Sequence, residues 1–159
     1  MTESLEARIG AALRSRGMTL ALAESCTGGL IGHRLTNIAG SSDYFLGGIV
    51  AYAYDAKERL LGVHHQTLYE HGAVSRETAI EMARGARQML GADVGLSVTG
   101  IAGPTGGLPG KPVGLTWIAL STREGENAEE HVWQGDRLSN KERSAEAAME
   151  MLLASLESG

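Results

Sequence analysis

The segment Glu24-Ser25-Cys26-Thr27-Gly28-Gly29 places two hydroxyls, a thiol and two glycine amides next to one another. Backbone amides at the start of a helix favour negative charge, so this turn is suited to bind a phosphate or to stabilise an oxyanion. Local sequence also permits a plainer interpretation, and on its own favours it: Ser25 or Thr27 caps the following helix, and the glycines allow close packing. The turn is not a P-loop, because the Gly-x-x-x-x-Gly-Lys-Ser/Thr pattern is absent from the sequence.

Lys57 follows Tyr52 by five residues and lies near the start of a predicted helix. A cation near a helix N-terminus is electrostatically unfavourable, which lowers the pKa of a lysine at that place. A lysine that is partly neutral at physiological pH is able to deprotonate a serine, as in Ser-Lys hydrolases. Local sequence alone instead favours a solvent-facing Lys57 paired with Asp55 or Glu58, and a Tyr52 that packs at the end of a strand.

A second glycine-rich loop covers residues 100–107, with Thr99 before it and Pro104 within it. It holds too many glycines for ordinary packing, and the proline argues against a flexible linker. The pattern therefore favours a loop whose amides cradle an anionic ligand. Arg137 offers a cation for a phosphate or carboxylate, although an isolated arginine is more typical of a surface ion pair.

Composition narrows the classes of function. The 159 residues, 43% of them hydrophobic, predict a single domain over residues 1–159. A net charge of −5 with dispersed Lys and Arg argues against nucleic-acid binding. The lone Cys26 fits a reducing compartment, and the five histidines show no metal-binding spacing. Because no signal peptide or apolar run of about 20 residues is present, we expect a cytoplasmic protein with no membrane partner. The histidine spacing and the single cysteine lead us to expect no metal, and we expect no cofactor.

Apolar periodicity predicts alternating strands and helices. The predicted helices cover residues 5–13, closed by Gly17, residues 30–38, residues 55–62, residues 76–90 after an N-cap at Ser75, and a final segment capped by Ser139. The predicted strands cover residues 18–24, 45–52, 94–98, 113–120 and 131–133, with a hairpin turn at residues 122–127. This order indicates a three-layer α/β/α sandwich with a mixed, mostly parallel central sheet. In such sheets, ligands bind beyond the carboxyl ends of the strands.

The string Ala23-Glu24-Ser25-Cys26-Thr27-Gly28-Gly29 resembles the signature of the CinA C-terminal domain family. Similar motifs follow in the family's order over nearly the whole chain: Tyr52-Ala53-Tyr54-Asp55-Ala56-Lys57, Gly72-Ala73-Val74-Ser75, residues 100–107, Lys111-Pro112-Val113-Gly114 and Gly135-Asp136-Arg137. The family's stand-alone members are nicotinamide-nucleotide amidases. They convert nicotinamide mononucleotide to nicotinate mononucleotide and ammonia in pyridine nucleotide recycling.

The resemblance implies that Ser25 is the nucleophile and Lys57 its activating base, with Tyr52 and Thr27 as close support. Amides near residues 27–29 would then form an oxyanion hole, and the 100–107 loop with Arg137 would hold the ribose phosphate. The substrate-binding residues implied in this way are Gly28, Gly29, Thr99, Gly100, Gly103, Thr105, Gly106 and Arg137. The resemblance also implies a homo-oligomer.

The sequence leaves alternatives open for the substrate, the nucleophile and the function. Tyr54 and Thr105 depart from the residues that are frequent in the family, which bears on substrate fit. Cys26 is a rival nucleophile beside Ser25, but neighbours in an extended turn point in different directions. The competing function is a non-catalytic nucleotide-binding or regulatory module. A phosphotransferase is a poorer match, because it would show magnesium-binding carboxylates beside a glycine loop.

Overall fold

The structure is a computed structural model that describes residues 3–158. The main elements, in chain order, are α1 (Leu5–Arg16), β1 (Leu20–Glu24), α2 (Leu30–Thr36), β2 (Phe45–Val50), α3 (Tyr54–Leu61), α4 (His65–His71), α5 (Arg76–Leu90), β3 (Val94–Gly100), β4 (Leu115–Thr122), β5 (Gly125–Val132) and α6 (Arg137–Ser158). A short 3-10 turn, Ser41–Asp43, precedes β2.

The five strands form one sheet in the order β2-β1-β3-β4-β5. Strands β2 and β3 both pair with β1 in parallel, whereas β4 is antiparallel to β3 and to β5. All the strands except β4 therefore run in the same direction, which confirms the predicted mixed and mostly parallel sheet.

Side chains that alternate along β1 separate the two faces of the sheet. Leu20 and Leu22 join a core with helices α1, α2 and α6, while Ala21 and Ala23 pack with helices α3, α4 and α5. Helices thus cover both faces, and the predicted α/β/α sandwich is confirmed. Among residues 3–158, every helix is too short or too polar to span a lipid bilayer.

The sheet brings together the chain segments that follow its parallel strands. Glu24, the last residue of β1, is in register with Val50 at the end of β2 and with Val98 near the end of β3. The turn that begins at Ser25, the segment from Ala51 to Lys57 and the loop after Gly100 consequently leave the sheet at one edge. This is the edge at which open α/β sheets bind their ligands.

The predicted helix ends are correct at two helices and wrong at the last one. Gly17 closes α1 in the left-handed conformation, and the Ser75 side chain caps α5 by accepting a hydrogen bond from the amide of Thr78. Helix α6, however, begins at Arg137 rather than after Ser139. Its cap is Asp136, whose carboxylate accepts from the amide of Ser139 at 2.8 Å.

Three further expectations need correction. Helix α4 was not predicted, because its only buried residue is Leu68 and one apolar position shows no periodicity. Strand β4 begins at Leu115 instead of residue 113, since residues 113 and 114 lie in a turn that Leu115 N closes by donating to Pro112 O. The hairpin turn is tighter than residues 122–127, because Thr122 pairs with Gly125 and the return strand begins there. The first residues of this strand are polar, so nothing in the sequence indicated that they form a strand.

Candidate active site

Ser25 and Lys57 meet at the carboxyl edge of the sheet. Lys57 Nζ donates to Ser25 Oγ at 3.0 Å and also to the backbone carbonyls of Ala51, at 3.0 Å, and Tyr52, at 2.9 Å. The Lys57 side chain is 1% exposed and Ser25 is 7% exposed. The ammonium group has three hydrogens, and each of them has an acceptor in this arrangement.

Burial lowers the pKa of Lys57 from 10.5 to about 8, because removal from water disfavours the charged amine. The expectation from the sequence was that the start of a helix lowers the pKa of Lys57. In the structure the pKa is lowered by burial instead. A lysine with this pKa is partly neutral near physiological pH. It is therefore suited to accept a proton from a hydroxyl.

Helix α3 places Lys57 inward. Lys57 and Leu61 are the buried residues of this helix, and they share one face because they are four positions apart. The expected pairing of Lys57 with Asp55 or Glu58 is wrong: Asp55 accepts from Arg59 at 2.8 Å, and Glu58 pairs with the ring of His65. Both carboxylates are thus engaged on the outside of the helix.

Glu24 organises the turn that carries Ser25, a role that the sequence analysis missed. Its carboxylate is buried and accepts four hydrogen bonds. They come from Thr27 Oγ1 at 2.6 Å and from the amides of Gly29, Ile31 and Gly32 at 3.2, 3.1 and 3.0 Å. A glutamate that ends an apolar strand immediately before a Gly-Gly turn was the signal available in the sequence.

These bonds revise the expected roles of Thr27, Gly28 and Gly29. The Thr27 hydroxyl is committed to Glu24, so Thr27 supports the shape of the turn. The amide of Gly29 is also taken by Glu24, and that of Gly28 donates to Ser25 O at 3.1 Å. Within the described part of the chain, the amides of Cys26 and Thr27 donate to no acceptor. The free donors beside the serine therefore lie at residues 26 and 27, rather than at 28 and 29.

The Cys26 thiol is not equipped as a nucleophile. Its side chain is buried, and its sulfur lies 3.1 Å from the position that a Cβ would take at Gly100. Burial raises the pKa of Cys26 to about 12, which keeps the thiol protonated. Of the two adjacent candidates, only Ser25 contacts a base.

Arg137 joins the two strand ends on either side of β1. Its Nη1 donates to Gly103 O at 2.7 Å and its Nη2 donates to the Tyr52 hydroxyl at 3.1 Å. Tyr52 follows β2 and Gly103 follows β3, so the bridge spans the strand that leads to Ser25. Tyr52 thus contributes its carbonyl to Lys57 and its hydroxyl to Arg137.

Asn140 anchors the 100–107 loop and was also missed by the sequence analysis. It is 2% exposed, and its Nδ2 donates to Ala102 O and Gly135 O, both at 3.0 Å. Its Oδ1 accepts from the amide of Gly135 at 3.0 Å. An asparagine inside a predicted helix gave no hint of this contact.

The remaining predicted residues divide into packed and exposed positions. Thr99 is buried and donates its hydroxyl to Ala73 O at 2.8 Å. Gly100 is required by packing, because a Cβ there would lie 2.7 Å from Thr116 Oγ1. Thr105 and Gly106 lie on the exposed part of the loop. Across residues 3–158, no three His, Cys, Asp or Glu side chains converge as a metal site.

Comparison with known proteins points to one family. The model of the CinA C-terminal domain matches residues 2–156. A CinA-like protein of Salinibacter ruber is 55% identical over 147 residues, which are 92% of this chain and 36% of that protein. A CinA-like protein of Geobacter metallireducens is 53% identical over 150 residues, or 94% of this chain and 36% of that protein. The chain therefore spans about a third of the length of these relatives.

Solved structures show the same similarity over the whole fold. The competence/damage inducible protein CihA of Agrobacterium tumefaciens has a TM-score of 0.89 at 44% identity, over 96% of this chain and 93% of that one. A CinA superfamily protein of Klebsiella pneumoniae has a TM-score of 0.94 at 34% identity, over 98% and 97% of the two chains. Both similarities therefore cover nearly the whole chain.

Proposed function

Since the chain belongs to the CinA C-terminal domain family, we propose that it is a nicotinamide-nucleotide amidase that hydrolyses nicotinamide mononucleotide to nicotinate mononucleotide and ammonia. The observation that supports this most strongly is the environment of Lys57 Nζ. A buried amine with a lowered pKa contacts one hydroxyl, and that hydroxyl lies in a turn at the ligand-binding edge of the sheet.

The two carbonyls around Lys57 fix the direction of proton transfer. A neutral amine has two hydrogens and one lone pair, and the carbonyls of Ala51 and Tyr52 are able only to accept. In the neutral state the amine therefore donates its two hydrogens to these carbonyl oxygens, and its lone pair is directed at Ser25 Oγ. The Ser25 hydroxyl then donates to Lys57, which is the arrangement that general-base activation needs.

The reaction divides into two balanced steps. Ser25 Oγ attacks the carboxamide carbon while neutral Lys57 takes the hydroxyl proton, and a tetrahedral oxyanion forms. When the carbon–nitrogen bond breaks, Lys57 returns this proton to the departing nitrogen, so ammonia leaves and an ester remains on Ser25. In the second step, water attacks the ester while Lys57 takes a proton from it. The carbon–oxygen bond breaks, Ser25 Oγ regains the proton, and the carboxylic acid product ionises.

The turn after Ser25 supplies donors for the developing oxyanion. The amides of Cys26 and Thr27 directly follow the nucleophile, and they have no acceptor within residues 3–158. Amides that are already held in place stabilise an oxyanion without reorganisation, and loss of one such donor costs roughly 100- to 1,000-fold in kcat. Glu24 holds this turn by binding the amides that follow it.

A non-catalytic nucleotide-binding module is the competing function. Such a module needs glycine loops and cations, but it gains nothing from a lysine buried against a serine. Burying an ammonium group costs stability, and a binding module would have no catalytic use for it. The Ser25–Lys57 pair therefore favours the enzyme.

Ammonia release tests the proposal. The purified protein is incubated separately with nicotinamide mononucleotide, nicotinamide, glutamine and asparagine, and ammonia is measured with the carboxylic acid product. We expect equal amounts of ammonia and nicotinate mononucleotide from the first compound, and much slower release from the others. Saturable binding of the nucleotide without ammonia release would instead identify a binding module.

A further inference from the structure

Lys141 is a cation beside the nucleophile turn that the proposed chemistry does not use. Its Nζ lies 3.9 Å from the position that a Cβ would take at Gly28, three residues after Ser25. Gly28 has a left-handed backbone with φ of 60°, and its amide closes the turn on Ser25 O. The amine of Lys141 therefore lies beside the turn, on the side where Gly28 has no side chain.

Lys141 makes no ion pair within residues 3–158. In this part of the chain, no carboxylate lies within ion-pair distance of Lys141, whereas Arg59 and Arg84 each pair with one and Arg34 pairs with two. Asp136 caps α6 through the amide of Ser139 and also makes no ion pair with Lys141. Lys141 is only half-buried, so it is accessible to a ligand.

A second cation lies on the same face of α6. Arg137 is four residues earlier, so the two side chains are neighbours along the helix. Like charges at this spacing repel each other, and cations are unfavourable at the positive end of a helix. Asp136 and the buried Glu24 lie nearby, but both carboxylates are engaged by backbone amides, whereas Lys141 has no such partner within residues 3–158 and is left to attract an anion.

Arg137 and Lys141 differ in how many of their hydrogen-bond donors are free to bind a ligand. Arg137 directs Nη1 and Nη2 at Gly103 O and the Tyr52 hydroxyl, whereas Lys141 donates no hydrogen bond within residues 3–158. In a nucleotide the ribose separates the phosphate from the ring, so a phosphate-binding cation must lie beside the nucleophile rather than on it. Lys141 lies beside Gly28, in the turn that begins at Ser25, and so is next to the nucleophile without contacting it.

We propose that Lys141 binds the phosphate monoester of the substrate and makes the enzyme select a phosphorylated carboxamide over its unphosphorylated counterpart. This inference rests on the proposed amidase function and assigns the phosphate to a residue that the sequence analysis did not name. The 100–107 loop and Arg137 then shape the site around the ribose, with Arg137 adding its charge.

The test compares Lys141→Met with wild type on nicotinamide mononucleotide and on nicotinamide riboside, which lacks the phosphate. We expect the variant to raise KM for the nucleotide about 10- to 100-fold, the loss of one charge-assisted hydrogen bond. The riboside has no phosphate for Lys141 to bind. For this substrate, kcat and kcat/KM of the variant should therefore stay within about threefold of wild type. Lys141→Arg should restore most of the affinity for the nucleotide.

Arg143→Met is the matched control, because it removes a cation from another face of the same helix. It should leave both substrates unaffected. If wild type hydrolyses the nucleotide and Lys141→Met does so with an unchanged KM, the inference is overturned while the amidase function stands. A KM that rises equally for nucleotide and riboside would likewise overturn it, because the phosphate would then not be what Lys141 binds.

Thermal unfolding with inorganic phosphate decides the matter if wild type releases no ammonia, the outcome that removes the amidase function. Phosphate should raise the Tm of wild type and of Arg143→Met, but raise that of Lys141→Met much less. Equal protection of all three proteins by phosphate would contradict a phosphate site at Lys141.

Discussion

Lys57 Nζ lies 3.0 Å from Ser25 Oγ, and both side chains are almost completely removed from solvent. An amine in this place is costly to keep charged, which is why its pKa falls to about 8. The same burial that weakens the fold supplies a base of suitable strength.

The rate should follow the protonation of Lys57. With a Lys57 pKa of about 8, kcat/KM should fall about tenfold for each pH unit below that value and level off above it, because only the neutral amine accepts a proton. The measurement is ammonia release from nicotinamide mononucleotide at saturating and low substrate across this range. A profile that is flat from acid to alkaline pH would show that Lys57 is not the base.

The stability of the fold should respond to the same titration. Below the folded pKa of about 8, both folded and unfolded Lys57 are charged, and the full cost of burying the ammonium is present. Between about 8 and 10.5 the unfolded chain binds a proton that the folded protein lacks, so stability rises with pH. Relative to Lys57→Met, wild type should gain about 3 kcal/mol over this window.

Urea unfolding of the two proteins at several pH values measures this gain. Taking the difference between them removes the contribution of every other titrating group. A difference that stays constant, or that moves against wild type as the pH rises, would mean that the folded pKa of Lys57 is not lowered.

Glu24→Gln should destabilise the protein and slow the reaction together. The amide nitrogen of glutamine cannot accept hydrogen bonds, so at least one donor of the turn loses its partner in a buried place. We expect a loss of about 2–4 kcal/mol in the free energy of unfolding. The exposed Glu142 provides the control, since Glu142→Gln should change stability by about 0.5 kcal/mol or less.

Activity separates the role of Glu24 in positioning from its role in stability. At a temperature where the Glu24→Gln protein is folded by circular dichroism, kcat should still be reduced, because the turn no longer holds the amides of Cys26 and Thr27 in place. Full kcat in a folded but destabilised variant would limit Glu24 to a structural role.

Cys26→Ser should retain activity. Burial keeps the thiol protonated, with a pKa of about 12, and Lys57 contacts Ser25 instead. We expect kcat within about threefold of wild type, the small effect of an isosteric change that removes no contact to the base. Loss of activity on this substitution, together with modification of Cys26 by an affinity label, would transfer the nucleophile to the thiol.

The fold was largely predictable because its signals are local. The apolar runs of β1 and β3 and the periodic face of α5 mark buried strands and a helix directly, and the Ser75 and Gly17 caps mark helix ends. Helix α4 was not predictable, because it is held by a single buried leucine and by contacts with α5 that periodicity does not reveal. The start of β5 was hidden because polar residues on an exposed edge strand look like a turn.

The site was predictable only in part, and the reason is the distance between its members along the chain. Local sequence favoured a solvent-facing Lys57, and only the family resemblance reversed this expectation. The hydrogen bonds of Lys57 go to the turn after β1 and to the segment after β2, which no local pattern encodes. Asn140 and Lys141 were missed for the same reason: each looks like an ordinary helix residue until α6 is placed against the nucleophile turn.

The central claim is tested most directly by ammonia release from nicotinamide mononucleotide by wild type, Ser25→Ala and Lys57→Met, with folding checked by circular dichroism. We predict release by wild type and a loss of roughly 10,000-fold or more for Ser25→Ala, as for other nucleophiles that act as a unit with their base. Lys57→Met should lose a similar factor. Ammonia release by folded Ser25→Ala at the wild-type rate would contradict the account.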